Sequence, residues 1–260
     1  MTMTTYRSIW VSDVHLGTAE CRAEELNSFL KHNTAKTLYL VGDIFDGLQV
    51  TKNRWYWDNY QSAVVRAILR AATHTRVVFV PGNHDAFVRP VLKHEIGLMG
   101  IEVHNQLNHV GVDGKQYLVT HGDLFQGMSR VAPWLAHLGD TMYDVVVWLN
   151  KHVNTVRRRC GWGYWSMSKY VKLNINKAVE YIRHFEESLS DHAARKGYDG
   201  VICGHIHHAD IKLLNGVMYM NDGDWVESCT ALVEHHDGRF EIVTWDDVCG
   251  NGPDDDHDWS

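Results

Sequence analysis

Val77-Val78-Phe79-Val80-Pro81-Gly82-Asn83-His84-Asp85 is the stretch that decides the fold. Four β-forming residues run into a Pro-Gly break, and an amide, an imidazole and a carboxylate follow the break directly. This order is typical of a buried strand that delivers reactive side chains to its C-terminal end. The stretch therefore predicts a sheet with a polar site at the carboxyl ends of its strands.

The same pattern occurs at four other places in the chain. In each, an apolar run predicted as a strand ends in polar residues: Ser12-Asp13-Val14-His15, Gly42-Asp43-Ile44-Phe45-Asp46, His121-Gly122-Asp123 and Gly204-His205-Ile206-His207. A single aspartate or histidine at a strand end is more often a capping or surface residue. Five such runs in series are difficult to explain in that way, and they predict that the strand ends converge on one site.

The composition limits the class of protein. With 260 residues, 45% of them hydrophobic and 22% charged, the chain is long enough for one large folded domain. Its 5 cysteines are widely spaced, which argues against a disulfide framework and favours the reducing cytosol. The N-terminal residues lack an apolar signal core, and no run is long enough for a transmembrane helix. We therefore expect a cytoplasmic location.

Charge is unevenly distributed along the chain. The formal net charge of −7 argues against a general nucleic-acid-binding protein. Residues 127–195 nevertheless hold 10 Lys and Arg against 6 Asp and Glu. We expect a basic segment on an acidic body, with no nucleic-acid partner and no obligate protein partner.

Strand and helix patterns alternate through the first part of the chain, which predicts βαβ units. Helices are predicted over 20–32, 58–72 and 88–98, and a strand hairpin is predicted around Asp237-Gly238.

The alternation divides the chain into segments. Residues 127–195 carry apolar residues in steps of three and four, with a helix over 168–195, and are interpreted as a helical cap inserted between two strands. The predicted core is 1–126 with 196–249. The acidic residues 250–260 are predicted to form a disordered tail.

The polar residues at the strand ends suit a metal site. Carboxylates, imidazoles and one amide oxygen favour Mn²⁺, Fe²⁺, Co²⁺ or Zn²⁺, with Mn²⁺ as our first choice. Two ions about 3.5–4 Å apart can clamp the attacking and leaving oxygens of a phosphoryl displacement. Two ions that share one carboxylate would use all seven candidates: Asp13, His15, Asp43, Asn83, His121, His205 and His207. Several of the other histidines, His109 among them, are interpreted as solvated.

In this order, the five polar blocks resemble the calcineurin-like metallophosphoesterase superfamily. The resemblance implies a four-layer α/β/β/α sandwich in which Asp43 bridges two ions. One ion would be held by Asp13, His15, Asp43 and His207, and the other by Asp43, Asn83, His121 and His205. The resemblance also implies a catalytic His84 that stabilises charge on the phosphate or protonates the leaving group, with Asp46 and Asp85 orienting the ligands.

Within that superfamily, the chain is similar to the bacterial UDP-2,3-diacylglucosamine diphosphatases of lipid A biosynthesis. The similarity rests on chain length, His121-Gly122-Asp123, the helical insertion and Asn221-Asp222-Gly223-Asp224-Trp225. It implies release of UMP and an acylated sugar 1-phosphate by an enzyme peripheral to the inner membrane. Expected substrate contacts in the insertion are Arg157, Ser166, Ser168, Lys169 and Lys172. His84 departs from the well-studied branch, which carries Arg at this position, and this leaves the substrate open.

Two other functions are also consistent with the sequence. One is a dinuclear phosphodiesterase or phosphatase that acts on a soluble nucleotide or another phosphoester. The other is a non-catalytic scaffold, which the complete ligand set disfavours. The cluster Arg54-Trp55-Tyr56-Trp57 fits helix-start packing and a pocket wall equally well.

Overall fold

The computed structural model describes residues 3–51, 54–94, 100–125 and 167–249. The chain divides into two compact units, Met1–Phe125 with Leu189–Ser260, and Gln126–Ser188. The predicted tail 250–260 and most of the predicted cap 127–195 lie outside the described residues. No helix within the described ranges is long and apolar enough to cross a membrane.

Six of the described strands form the first sheet, in the order β11-β10-β1-β2-β3-β4. The strands β1 to β4 are parallel, and β10 and β11 are antiparallel to their neighbours. Because β1, β2 and β3 run in the same direction, the residues that follow them meet at one edge of the sheet. The strands are β1 Thr4–Val11, β2 Asn33–Leu40, β3 Arg76–Phe79, β4 Ile101–Val103, β10 Thr230–Glu234 and β11 Phe240–Thr244.

The other five described strands form the second sheet, in the order β5-β6-β7-β9-β8. Its central strands β6, β7 and β9 are parallel, so they too bring their carboxyl ends to one edge. The strands are β5 Leu107–Val110, β6 Gln116–Val119, β7 Gly200–Cys203, β8 Asp210–Leu214 and β9 Val217–Asn221.

The helices of the described residues are α1 Ala23–His32, α2 Gly47–Thr51, α3 Asn59–Ala71, α4 Met167–Arg195 and α5 Trp245–Val248. The helix α3 begins where Asp58 caps it, because the Asp58 carboxylate accepts a hydrogen bond of 2.8 Å from Gln61 N. The helices predicted over 20–32, 58–72 and 168–195 are confirmed with small shifts of their ends. Residues 95–98 of the helix predicted over 88–98 lie outside the described residues. The described part of that segment is instead a 3₁₀ helix, Ala86–His94, which contains Pro90. Proline lacks the N–H group that a regular helix requires there.

Two apolar cores hold the sheets and helices together. One lies between the first sheet and its helices and contains Phe29, Val64 and Ile68. The other lies between the sheets, where the Trp10 and Tyr39 rings stack with centroids 5.0 Å apart. The structure thus confirms the predicted α/β sandwich of two mixed sheets.

A buried polar group also joins the two sheets. We call it the intersheet cluster, and it consists of Arg7, Tyr39, His109 and Glu234. The buried Glu234 carboxylate pairs with Arg7 Nη1 at 2.5 Å and with His109 Nε2 at 2.9 Å. The other ring nitrogen of His109 lies 3.0 Å from the Tyr39 hydroxyl. The prediction that His109 is solvated is therefore wrong, because its polar partners lie on strands distant in sequence.

Candidate metal centre

The loops that follow the strands bond directly to one another. Asp13 N donates to Gly42 O at 3.0 Å, and His15 N donates to Asp43 O at 2.9 Å. The loop after β3 joins them, since His84 N donates to Asp43 Oδ1 at 2.8 Å. These bonds bring the ends of β1, β2 and β3 together, as predicted from the sequence.

The backbone is strained at the predicted ligands. Asp13, His15, Asp43, His205 and His207 have φ between 50° and 75°, in the left-handed region that side chains other than glycine rarely adopt. Such residues persist where the surrounding structure fixes them, and they concentrate at functional sites. The strain therefore marks these five positions as a site that the fold maintains at a cost in stability.

Three predicted ligands form the first cluster. The ligand atoms of Asp13, His15 and His207 all lie within 4.8 Å of one another. His207 Nε2 is 3.2 Å from Asp13 Oδ1, and His15 Nε2 is 3.9 Å from the same oxygen. One small cation placed among these atoms would contact all three.

A second cluster, with the same spacing, contains Asp43, His121 and His205. His121 Nδ1 lies 2.8 Å from Val41 O and donates to it, which directs Nε2 into the site. That Nε2 atom is 3.3 Å from Asp43 Oδ2 and 3.2 Å from His205 Nδ1. Because His84 N bonds to Asp43 Oδ1, Oδ2 is the oxygen left to face the ligands.

Three buried atoms of the predicted metal ligands make no hydrogen bond: Asp13 Oδ1, His15 Nε2 and Asn83 Oδ1. Buried polar atoms without a partner are costly and uncommon. All three are lone-pair donors that the sequence assigns to metal ions, and a cation would satisfy each of them. The residues present therefore fit divalent metal ions.

The electrostatics of the centre also favour cations. Burial alone would lower the pKa of His121 and His207, but nearby carboxylates outweigh it. Asp43 and Asp13 raise the pKa of His121 to about 10, and Asp13 raises that of His207 to about 9. For His205, burial and the neighbouring His121 lower the pKa to about 4, which keeps its lone pair available.

His84 stands beside these clusters and pairs with Asp46. Its Nδ1 atom is 3.0 Å from Asp46 Oδ1, and its Nε2 atom is 4.0 Å from Asp43 Oδ2. The second Asp46 oxygen lies 3.3 Å from His15 Nδ1, so one carboxylate orients both imidazoles. Burial alone would lower the pKa of His84, but the Asp46 hydrogen bond and the Asp43 charge raise it.

Asp85 fastens the loop after β3 to the loop after β2. Its carboxylate accepts hydrogen bonds from Ile44 N at 2.8 Å and from Gly82 N at 2.5 Å. Burial, together with the Asp43 charge, raises the pKa of Asp85 to about 6. Asp85 therefore contacts the backbone of both ligand loops, and its role in orienting the ligands stays a prediction.

Two glycines let the loops approach the ligands. A Cβ atom at Gly82 would lie 2.2 Å from Asp43 Oδ1, and one at Gly204 would lie 2.5 Å from Asp13 Oδ2. Any larger residue would displace a carboxylate. This explains why glycine precedes Asn83 and His205 in the sequence.

Sequence reasoning missed a set of buried residues that hold Asp13. Ser12 Oγ lies 2.6 Å from Asp13 Oδ2 and 2.6 Å from Asp222 Oδ1. His205 N also donates to Asp13 Oδ2, at 2.7 Å, which leaves Oδ1 for a metal ion. Burial raises the pKa of Asp222 well above its usual range. The signal was present in Asn221-Asp222-Gly223-Asp224-Trp225, which the sequence linked to a substrate class rather than to ligand support.

Gln61 is a second residue that sequence reasoning missed. Its amide accepts from Gly17 N at 2.8 Å and donates to Thr18 O at 2.9 Å, so α3 fixes the loop that follows His15. A glutamine in a helix carries no sequence signal for this role, because its partners are backbone atoms of a distant loop.

Exposed apolar side chains lie beside the ligand loops. We call Leu48, Val50, Trp55 and Phe87 the apolar rim. Phe87 is 61% exposed and lies against Gly47, which bonds to His84 O at 3.0 Å. Trp55 is 42% exposed, stacks on Trp57 and lies against Gly17. The aromatic cluster at 54–57 thus lies at the surface next to the ligand loops, and Trp57 also bonds to Ser62 in the first turn of α3 at 2.8 Å.

The structure does not describe the side chains of the five residues that we expect to contact the substrate. Arg157 and Ser166 lie outside the described residues. Ser168, Lys169 and Lys172 belong to α4, and their side chains also lie outside the description. Their assignment stays a prediction.

Comparison with known proteins gives a family and a fold. Residues 6–209 match the family described as calcineurin-like phosphoesterase. Among curated proteins, none matches this chain. A hypothetical protein, PH1004 from Pyrococcus horikoshii OT3, is 9% identical with a TM-score of 0.50, over 93% of this chain and 88% of its own. The phosphoesterase Yfce from E. coli is 15% identical with a TM-score of 0.41, over 91% of this chain and 98% of its own.

Proposed function

The chain belongs to the calcineurin-like phosphoesterases, and from this premise we propose that it is a dinuclear hydrolase of soluble phosphoesters, with nucleotides as the first candidates. The observation that carries the proposal is that the cluster of Asp13, His15 and His207 is joined through the loop of Asp43 to the cluster that Asp43 forms with His121 and His205. Two such clusters supply ligands for two ions. We propose Mn²⁺ as the metal, with Fe²⁺, Co²⁺ and Zn²⁺ as the other candidates for this ligand set.

When bound, the two ions would lower the pKa of water and offset the negative charge of the phosphate. The first would be held by Asp13, His15, Asp43 and His207, and the second by Asp43, Asn83, His121 and His205. The protein's own contribution is to fix these ligands. Ser12 holds Asp13, Val41 O holds His121, and Asp46 holds His15 through the bonds described above.

His84 supplies the proton chemistry. The Asp46 carboxylate pairs with Nδ1 at 3.0 Å, and Nε2 lies toward Asp43. The raised pKa of His84 favours the form in which Nε2 carries a proton. It can donate a hydrogen bond to a phosphate oxygen or transfer the proton to the leaving-group oxygen.

A lipid-linked nucleotide, such as UDP-2,3-diacylglucosamine, is the second candidate substrate. The apolar rim favours it, because exposed apolar side chains beside a hydrolytic centre suit a substrate with apolar groups. The basic composition of residues 127–195 favours it as well, since basic residues attract anionic membranes. On that hypothesis the enzyme releases UMP and an acylated sugar 1-phosphate at the inner membrane surface.

A substrate panel tests the proposal. We would incubate the purified protein and Mn²⁺ with bis(p-nitrophenyl) phosphate, p-nitrophenyl phosphate, soluble nucleotides and UDP-2,3-diacylglucosamine, and identify the products. We expect metal-dependent turnover, with a higher kcat/KM for one of the soluble esters than for UDP-2,3-diacylglucosamine. Turnover confined to UDP-2,3-diacylglucosamine would establish the second candidate instead, and no turnover of any ester would refute both.

Replacement of Arg157, Arg158 and Arg159 by Ser separates the two candidates further. A lipid substrate predicts a higher KM for UDP-2,3-diacylglucosamine and weaker binding to anionic vesicles, with unchanged turnover of bis(p-nitrophenyl) phosphate. A soluble substrate predicts the same ratio of the two activities before and after the replacement.

A further inference from the structure

Arg89 connects two of the three loops that carry the ligands peculiar to the second metal ion, namely the loops of Asn83 and His121. It lies in the 3₁₀ segment after His84, and its Nη2 atom makes two hydrogen bonds. One goes to Pro81 O at 3.0 Å, and the other goes to Asp123 Oδ2 at 2.7 Å. Pro81 lies two positions before Asn83, and Asp123 lies two positions after His121.

We propose that Arg89 is a positioning residue for the second metal ion, which it serves by holding Asn83 and His121 at a fixed separation. The inference rests on the two-ion site of the proposed function. It concerns metal binding alone, so it can fail or succeed independently of any substrate.

The two hydrogen bonds of Arg89 restrict how far the two loops can move apart. A guanidinium paired with a carboxylate forms a charge-assisted bond, and the Pro81 carbonyl fixes the direction of the same nitrogen. The Arg89 side chain is largely buried, with 28% of it exposed, and the Asp123 side chain is more buried still, with 11% exposed. Solvent therefore competes little with this pair.

The two loops need such a connection because they come from different sheets. Asn83 follows β3 of the first sheet, and His121 follows β6 of the second. Asn83 Oδ1 is buried and makes no hydrogen bond, so its position depends on its backbone. The ligands peculiar to the first ion, Asp13, His15 and His207, make no hydrogen bond or ion pair with Arg89 among the contacts of the described residues.

The sign of the effect separates positioning from simple electrostatics. Arg89 is a cation near a cation site, so loss of its charge alone would strengthen metal binding. Loss of its positioning would weaken it. Changes to residues that orient metal ligands cost about 10–100-fold in metal affinity. We therefore expect Arg89→Met to lower the affinity for the second ion by that factor.

Mn²⁺ titration of the metal-free protein by calorimetry tests the proposal in two backgrounds. His207→Ala removes a ligand of the first ion, and there Arg89→Met should weaken the remaining ion about 10–100-fold. Asn83→Ala removes a ligand of the second ion, and there Arg89→Met should change the affinity of the remaining ion less than about twofold. Arg76→Met is the matched control. It breaks the exposed ion pair between Arg76 of β3 and Glu102 of β4, which are 2.7 Å apart, and it should affect the binding of neither ion.

Three results would overturn the proposal: unchanged affinity, tighter binding, or equal weakening in both backgrounds. Should Arg89→Met fail to fold, Arg89→Lys takes its place in the same two backgrounds. Lysine retains the charge but lacks the planar fork, so it should weaken the second ion by a smaller factor. An unchanged affinity for the second ion in both Arg89→Lys and Arg89→Gln would also refute the proposal.

Discussion

The metal centre and the intersheet cluster both bury carboxylates and imidazoles between the two sheets, yet they differ in how well their atoms are satisfied. Glu234 has Arg7, His109 and the Val112 N–H as donors. The metal centre instead leaves Asp13 Oδ1, His15 Nε2 and Asn83 Oδ1 without hydrogen bonds. Its ligands also adopt left-handed backbone conformations, whereas no member of the intersheet cluster does.

These two properties distinguish a buried polar cluster that binds a ligand from one that only stabilises the fold. A buried network that is fully paired stabilises the fold and has no capacity left for a ligand. A buried network with unpaired lone pairs and strained backbone is costly by itself, and the cost is recovered only when a cation binds. Four predictions test this comparison.

Loss of the shared carboxylate should have the largest effect. Asp43→Ala should remove both ions, because Asp43 belongs to both predicted ligand sets, and activity should fall to background. Elemental analysis of the purified variant checks this result, with the exposed Asp113→Ala as a surface control. One ion retained at full occupancy would contradict the bridging role of Asp43.

The next largest effect concerns His84. His84→Asn should lower kcat by about 10²–10⁴-fold, because a positioned acid is lost, while the metal content stays the same. Steady-state kinetics with bis(p-nitrophenyl) phosphate and metal analysis of the same sample measure both quantities. A loss of metal in this variant would assign His84 to the ligands instead.

Metal binding should also stabilise the protein. Mn²⁺ at 100 times its Kd should raise the free energy of unfolding by about 2.7 kcal/mol for each ion that binds only the folded state. Urea unfolding with Mn²⁺ and with a chelator measures the difference. Asp43→Ala is the control, in which Mn²⁺ should change nothing. Equal stability with and without Mn²⁺ in the unaltered protein would show that the unpaired atoms are not a metal site.

Local patterns predict the alternation of strands and helices and the candidate metal ligands, whereas the sandwich itself was implied by the resemblance to the metallophosphoesterases. Each ligand follows an apolar run, and its neighbours in sequence carry it to the end of a strand. His121 and His205 could therefore be placed at one site without knowledge of any contact.

The supporting residues could not be predicted in this way. Asp222 reaches Asp13 only through Ser12, and Gln61 bonds to the backbone of a loop some forty positions earlier in the chain. Such partners become neighbours only when the sheets pair. The same limit explains the error at His109, whose partners Tyr39 and Glu234 come from β2 and β10.

The smallest effect should come from the intersheet cluster, and it should leave the metal centre intact. Glu234→Gln keeps the shape of the side chain but removes the charge that Arg7 and His109 pair with. We expect the free energy of unfolding to fall by about 1–3 kcal/mol at pH 7, with both ions still bound.

The pH dependence of that loss identifies its cause. Burial alone would raise the pKa of Glu234, but the hydrogen bond from His109 and the nearby Arg7 lower it below its usual range. A carboxyl group whose pKa is lower in the folded state stabilises the fold above its unfolded pKa, which is about 4.3 for glutamate. That stabilisation disappears as the pH falls through the folded pKa. Urea unfolding gives the free energy of unfolding of the unaltered protein and of Glu234→Gln. The difference between these two free energies should therefore be constant above about pH 5 and should shrink below about pH 4. A difference that stays constant down to pH 3 would mean that altered hydrogen bonding and not charge accounts for the loss, and a change in metal content would mean that the two polar groups are not independent.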